Sequence, residues 1–309
     1  MGSDNYQLTW TDQQWGRIRQ VVQEEANRAR VAATFLPLHG PLPADTDFVS
    51  ADELTYRVPP GGGALRMSVN DTKTIPLTTL QVKVFLRGAQ VADPELTSAL
   101  QLFRRAANVL ARLEDLVVFN GQAGMSRGPD VDSGQSGLQD IWQILGGRED
   151  RTPGLATPAD GAPAPVTVHD ADESAWGDLL VERISTAIGT LEAAGHFGPF
   201  AVVLDQGLFS AVQRPNENSL VLPQDRIIPF LGGGPLLRSS ALPRNSGIVV
   251  GLGGAPIDLV VATDVSVAFL QVTTDPLFVF RVYEKIALRI KEADAVVRLE
   301  AFASHGATQ

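Results

Sequence analysis

The sequence of 309 residues contains no cysteine, which excludes disulfides, thiolate metal sites, iron–sulfur clusters and cysteine nucleophiles. Histidine is also scarce, and we expect no metal site or other cofactor from the four scattered histidines, His39, His169, His196 and His305. No apolar run approaches the roughly 18 residues that cross a bilayer, and no basic-then-apolar signal peptide opens the chain. We therefore expect a soluble cytoplasmic protein without a membrane partner.

The charge balance of the chain is acidic. Asp and Glu number 35 against 25 for Lys and Arg, which gives a net charge of −10, and only four of the basic residues are lysines. An acidic chain is a poor partner for phosphate backbones or anionic lipid, so no nucleic-acid partner is expected. Hydrophobic residues make up 44% of the chain, enough for a sizeable core in one large domain or two modest ones.

Residues 10–33 have the periodicity of a helix. Thr11 or Asp12 can cap its N-terminus by accepting free backbone N–H groups. Apolar side chains then recur every three or four positions on one narrow stripe, namely Trp15, Ile18, Val22, Ala26 and Ala29. A narrow stripe is typical of a peripheral helix that packs on the surface of a core.

The clearest predicted helix spans residues 93–120. Asp93 is suited to cap it and Pro94 to occupy its first turn, while Asn120-Gly121 ends it. A further helix is predicted from about residue 174 to 194. Its end is marked by a glycine, which readily adopts the left-handed conformation that terminates helices.

Residues 46–92 are predicted to be extended, with two arms around the flexible tip 59–63. Such a long hairpin has too few apolar residues of its own and needs a neighbour to lie on. From residue 200 onward, strands and turns dominate, with predicted strands at 201–204, 248–252, 257–262, 265–270, 277–283, 286–291 and 295–299. Because helices and strands do not alternate, the fold class is α+β.

Residues 122–170 are rich in Gly, Pro, Asp and Ser, and we expect 146–165 to be a loop because its composition offers little to bury. Gly124-Met125-Ser126-Arg127-Gly128 matches a nucleophile-elbow pattern, but a helix rather than a strand precedes it. We therefore expect no catalytic residues and no enzyme. Of the adjacent carboxylates Glu114 and Asp115, Glu114 is expected to pair with an arginine such as Arg104, Arg105 or Arg112, or with a group across an interface.

Four segments, in this order along the chain, resemble those of one known family. Trp15-Gly16-Arg17-Ile18 through Leu38-His39-Gly40-Pro41-Leu42 is similar to an N-terminal helix followed by a "GPLG" turn, with Leu42-Pro43 where Leu-Gly is usual. Glu114-Asp115 through Phe119-Asn120-Gly121 is similar to the "ED…F.G" end of a long spine helix.

The third segment, Gly195 to Leu204, resembles a "G..GPYALVL" step from helix to strand. The fourth, Asp258 to Phe269, resembles the strand pair "DL.LGQD.SIGY", with Ala-Thr in place of Gly-Gln. Together they resemble the family 1 encapsulins, the linocin-like shell proteins of bacterial nanocompartments, whose fold is that of the phage major capsid protein. The resemblance covers roughly residues 8–124 and 174–300.

The resemblance implies a self-assembling icosahedral shell that encloses a cargo enzyme in the cytoplasm, and it divides the chain as follows: an N-terminal helix and arm 1–45, an extended hairpin 46–92, a peripheral domain 93–199 plus 257–309 with an inserted loop 125–173, and an axial domain 200–256. It also implies a polar pore for ions and small substrates, lined by Asn216, Glu217 and Asn218. The cargo would be held through a C-terminal targeting peptide docked on Trp15, Ile18, Val22, Asp264, Val267 and Phe269.

Two alternatives remain open at this point. A phage or prophage major capsid protein that packages DNA would share the same fold. A hydrolase that uses Ser126 would be a different class of protein, although the context of its motif argues against it.

Overall fold

The computed structural model describes residues 8–57, 66–121, 142–145, 152–157, 161–170, 176–215 and 221–303. The α-helices in this part of the chain are α1 Asp12–Ala29, α2 Gly88–Val91, α3 Thr97–Asn120, α4 Trp176–Ala193, α5 Gln206–Val212 and α6 Pro223–Ile227. Its strands are β1 Leu38–His39, β2 Phe48–Ser50, β3 Glu53–Arg57, β4 Arg66–Asn70, β5 Thr74–Pro76, β6 Thr78–Arg87, β7 Trp142–Leu145, β8 Val166–Asp170, β9 Phe200–Leu204, β10 Leu236–Arg238, β11 Ser246–Gly251, β12 Ile257–Val272, β13 Leu277–Ile290 and β14 Val296–Ala303.

The first sheet has the strand order β1, β12, β13, β6, β7. Its centre is the antiparallel pair β12–β13, which runs from the pairing of Ile257 with Ile290 to that of Val272 with Phe278. The prediction of four shorter strands in this region was wrong, since shifts of register at three points interrupt the ladder without ending either strand. Bulges of this kind bend and twist a strand while it continues.

Helix α3 packs on β6 and β13 of the first sheet and buries large side chains such as Phe103, Leu110 and Phe119. The predicted helix was confirmed, but it begins at Thr97 rather than at Asp93. The Asp93 carboxylate still accepts the backbone N–H groups of Glu95 and Thr97, so it organises the turn that precedes the helix.

The second sheet has the strand order β10, β9, β11, β14, β8, and α4 packs on it around a separate core. The prediction of a loop over the whole of 125–173 was wrong, because strands β7 and β8 lie within it. Strand β7 pairs with the edge of the first sheet, and β8 pairs in parallel with β14 of the second. Leu155, from the same region, is buried in the main core. These short segments acquire their partners only from residues distant in the chain.

The extended hairpin consists of two successive antiparallel pairs, β2 with β5 and β3 with β4. Its tip at 59–63 lies outside the described residues. Strand β6, which the sequence analysis included in the extended segment 46–92, pairs along its whole length with β13 and belongs to the first sheet. Met67 and Val69 on β4 are 66% and 57% exposed, so the outer part of the hairpin presents apolar side chains to its surroundings.

Ion pairs hold the base of the hairpin to the first sheet. Arg289 on β13 donates to both carboxylate oxygens of Asp258 on β12 at 2.8 and 2.7 Å, and to Asp52 at 2.7 Å. Lys291 lies 3.0 Å from Asp258. Burial of Asp258 opposes its ionisation, but the hydrogen bonds from Arg289 and Lys291 prevail and lower the pKa of Asp258.

Replacement of Arg289 with methionine should destabilise the fold, because Asp258 would stay buried without the guanidinium that binds both of its oxygens. Loss of one member of a buried pair typically lowers the free energy of unfolding by about 3–5 kcal/mol, and Lys291 should hold the effect near the lower figure. Arg28→Met is the control, since Arg28 is 77% exposed and surface pairs contribute roughly 0–1 kcal/mol. Urea unfolding followed by tryptophan fluorescence measures both variants, and equal losses would contradict the structural role of Arg289.

Candidate functional site

Helix α1 packs on α3 and on β12 of the first sheet. Its start is fixed by a capping box, in which Thr11 Oγ1 accepts the backbone N–H of Gln14 and Gln14 Oε1 accepts that of Thr11. Ile18, Val22 and Ala26 form the face of the helix that enters the main core. The other faces of the helix carry mostly polar, exposed side chains.

An aromatic cluster joins the start of α1 to the two central strands. The Trp10 ring stacks on Phe280 with 4.7 Å between centroids, and Trp15 lies edge-on at 5.3 Å from Trp10. On the other side, Phe269 is 5.3 Å from Phe280. Trp10 is anchored by its Nε1, which donates to the carbonyl oxygen of Val91 at 2.9 Å. The cluster thus brings Trp15 of α1 and Phe269 of β12 near one buried ring, that of Phe280.

The structure separates the six predicted docking residues into two groups. Ile18 and Val22 are fully buried in the main core, so their side chains are not available at the surface of this subunit. The others are at least partly exposed, and we call the area they define the α1–β12 surface: Trp15, Asp264, Val267 and Phe269. The sequence could not separate the groups, because Trp15, Ile18 and Val22 share one helical stripe.

Asp264 gives the α1–β12 surface its charge. Its side chain is 48% exposed, and Gln23 Nε2 donates to it at 3.3 Å. Arg30, just after α1, has its Nη1 atom 3.6 Å from Asp264 and also 3.6 Å from the buried carboxylate of Glu114 on α3. Arg30 therefore connects the surface to the interior. The expected partners Arg104, Arg105 and Arg112 form no ion pair with Glu114 among the described residues, and Arg30 takes their place.

Three buried carboxyl groups lie beneath the end of α1. Glu114 and Glu284 are each 1% exposed and Asp115 is 4% exposed. Burial raises the pKa of Glu114 to about 7 against the opposing charge of Arg30, and burial likewise raises the pKa of Asp115 to about 7 although the N–H group of Ala32 opposes the shift. Burial, followed by the nearby charge of Glu114, raises the pKa of Glu284 well above its ordinary value.

Sequence reasoning missed Arg30 and Glu284, although the chain contained a signal for one of them. Along β13 the inward-facing positions alternate as Phe278, Phe280, Val282, Glu284 and Ile286. A carboxylate in an otherwise apolar inward register is unusual and points to a buried charge. Arg30 carried no such signal, since its partner on α3 is distant in the chain.

The predicted pore residues Asn216, Glu217 and Asn218 and the motif around Ser126 lie outside the described residues. Among the residues that are described, His196, Glu292 and Asp294 each bring one potential metal ligand within 4.8 Å of the other two. His196 Nε2 already lies 3.0 Å from Asp294 Oδ1, a hydrogen bond that ties the turn before β14 to the end of α4. In the described part of the chain, no helix combines the length and the apolar character needed to cross a membrane.

Solved structures of particle shells share this fold. The chain superimposes on a virus-like particle protein from Pyrococcus furiosus with a TM-score of 0.64 and 17% identity, covering 93% of this chain and 99% of that one. The capsid of the Myoviridae phage XM1 gives a TM-score of 0.59 at 15% identity, with 88% and 91% of the two chains covered. The SrpI encapsulin of Synechococcus elongatus gives 0.52 at 13% identity, covering 91% and 92%. The protein therefore has the α+β phage major-capsid fold.

Sequence similarity distinguishes between the encapsulins and the phage capsid proteins that share this fold. Residues 7–128 and 146–287 match the Linocin_M18 family, described as encapsulating protein for peroxidase. The type 1 encapsulin shell protein EncA of Myxococcus xanthus is 29% identical over 301 residues, which cover 94% of this chain and 93% of EncA. A diheme-cytochrome-encapsulin shell fusion protein of Kuenenia stuttgartiensis is 24% identical, with 93% and 72% covered. The chain belongs to the Linocin_M18 family and is an encapsulin shell protein.

Proposed function

We propose that this chain assembles with copies of itself into a closed icosahedral shell in the cytoplasm, and that the shell encloses a cargo enzyme rather than a genome. The family match, which extends over most of the chain, is the observation that carries the proposal. The acidic net charge of −10 also makes the chain a poor electrostatic partner for phosphate backbones.

Assembly is supported by the apolar side chains that the isolated subunit leaves uncovered. Met67 and Val69 project from the hairpin, and Phe48 at its base is 61% exposed. Exposed apolar side chains on an extended two-stranded arm are unfavourable in water, and contact with a neighbouring subunit would bury them. A heterologous contact of this kind, repeated by rotation, generates closed assemblies.

Cargo capture is proposed to use the α1–β12 surface, on the luminal face. Trp15, Val267 and Phe269 offer apolar area to the aliphatic side chains of a C-terminal cargo peptide, while Asp264 can accept a hydrogen bond from it. Ile18 and Val22 would act indirectly, because their packing in the main core holds Trp15 and β12 in position. A pore lined by Asn216, Glu217 and Asn218 within the axial domain 200–256 would admit ions and small substrates.

Purified wild-type protein is expected to form uniform closed particles that contain protein but no nuclease-protected nucleic acid. Negative-stain electron microscopy shows whether closed particles form. The ratio of nucleic-acid to protein absorbance after nuclease treatment reports protected nucleic acid, and mass spectrometry identifies co-purifying proteins. Particles with protected DNA would favour the capsid alternative, and a monomer would contradict both shell functions.

The double substitution Met67→Asp plus Val69→Asp should prevent particle formation and leave a folded subunit. Two charges on the arm would have to be desolvated at each contact with a neighbour, whereas the isolated subunit leaves both side chains in water. Thr72→Asp, which adds a charge at an exposed polar position of the same hairpin, is the matched control. Light scattering after size exclusion reports assembly and circular dichroism reports folding. Normal particles from the double variant would exclude the hairpin from the contact.

Val267→Asp should abolish cargo retention while the shell still assembles, since a carboxylate would replace an apolar contact at the centre of the α1–β12 surface. A fluorescent protein fused to the C-terminal segment of the co-purifying cargo serves as the probe. Leu270→Asp, at the exposed position just beyond Phe269 on the same strand, is the control. We expect roughly tenfold or greater loss of encapsulated fluorescence only for Val267→Asp, corresponding to about 1.4 kcal/mol of binding free energy. Equal retention by both variants would place the dock elsewhere.

A further inference from the structure

Glu114 on α3 and Glu284 on β13 are called here the buried Glu pair. Among the described residues, both oxygens of Glu114 and Oε1 of Glu284 are buried without a donor in hydrogen-bond geometry. In the same part of the chain, Arg30 forms an ion pair with Glu114, with its Nη1 atom 3.6 Å from Glu114 Oε2. Buried polar atoms in folded proteins are almost always paired, so these three oxygens require an explanation.

Each element that packs around the buried Glu pair contributes a neighbour. The segment after α1 provides Arg30, β12 provides Asp264, and α3 itself provides Asp115. From β6, the apolar Leu80 lies directly opposite Glu284 in the strand register. One guanidinium therefore faces four carboxyl groups, three of them buried.

One shared proton accounts for two of the three oxygens, by joining an oxygen of one carboxyl group to an oxygen of the other. Ionised carboxylates only accept hydrogen bonds, so two of them cannot satisfy each other, whereas a protonated carboxyl donates one O–H to its neighbour. The position of Arg30, whose Nη1 atom lies 3.6 Å from Glu114 Oε2, favours the negative charge on Glu114 and the proton on Glu284.

We propose that the buried Glu pair is a proton-dependent latch, which holds α1 on the body of the subunit while one proton is shared and releases it when that proton is lost. The inference concerns the subunit alone and does not rest on the proposed docking function. Among the described neighbours, the turn after α1 is held directly to this site, because Arg30 pairs with Glu114 and Asp115 accepts the N–H groups of Val31 and Ala32.

Loss of the shared proton would leave an excess of buried negative charge that a single Arg30 cannot balance. Two such charges buried close together repel each other and lack solvation, and hydration of the site relieves this cost. Hydration requires the turn at residues 30–32 to leave Asp115, and the last turns of α1 loosen with it because that turn anchors its C-terminal end. The start of α1 stays attached through Trp10 and its bond to Val91.

The direction of the pH effect follows from the raised pKa values. Between the ordinary carboxyl pKa near 4.5 and the raised values, the folded subunit binds more protons than the unfolded chain. Stability contributed by these groups is therefore complete below that ordinary value and is lost as the pH rises through about 7 for Glu114 and through the raised pKa of Glu284. The latch is closed in mild acid and opens on the alkaline side.

Hydrogen exchange of the wild-type shell, followed by mass spectrometry from pH 6 to 9.5 and corrected for the intrinsic rate, tests the latch without any substitution. We expect protection in α1 residues 22–32 to fall at least about tenfold relative to α3 as the pH rises, while α3 and α4 keep theirs. Constant protection of α1 over this range would overturn the proposal.

The substitution Glu284→Gln supplies a permanent neutral donor and should keep α1 protected up to pH 9.5. Glu182→Gln, which removes one negative charge from an exposed position on α4, should behave like the wild type. Glu114→Gln serves as a second neutral variant if Glu284→Gln does not fold. Loss of α1 protection in a folded neutral variant to the same extent as in the wild type would also overturn the latch.

Discussion

The antiparallel pairing of β12 with β13 is the constraint on which the other parts of the subunit depend. One side of the pair supports α3 and α1 through Phe280 and the aromatic cluster around it. The same strands hold the hairpin through Arg289 and Asp258, and β13 continues through a short turn into β14 of the second sheet. Because so many attachments meet on two strands, the shape of each strand matters, and the bulges within β12 set the direction in which Asp264 and Phe269 project.

The part of the subunit farthest from this strand pair, the hairpin, has exposed apolar side chains. Each sheet has its own core, and the base of the hairpin packs on the first sheet through a small third cluster that includes Ile75. Among the described residues, Met67 and Val69 on the outer part of the hairpin stay exposed. An isolated hairpin is only marginally stable in water. In the proposed assembly its stability and the formation of the shell are linked, since one contact would both order the arm and join neighbours.

Local pattern was sufficient to predict α1, α3 and the α+β class, because helical periodicity and capping residues are read within a few turns. It failed where the partner is remote. Strands β7 and β8 are too short and too polar in context to be recognised, and they exist because the edges of two sheets offer them hydrogen bonds. It also could not divide the stripe of α1, since the spacing of Trp15, Ile18 and Val22 is the same whether a side chain faces a core or a ligand. Three-dimensional burial is what distinguishes Trp15 from the other two.

The buried Glu pair is difficult to explain by stability alone. Apolar residues of similar volume in place of a buried charged group are often neutral or stabilising, so leucines at Glu114 and Glu284 would hold α1 at least as firmly. They would also hold it at every pH. Carboxyls at these positions make the attachment of α1 conditional on one proton, and Arg30 extends that condition to Asp264 at the surface. Compared with apolar residues, the pair therefore makes the contact between α1 and the first sheet depend on the pH.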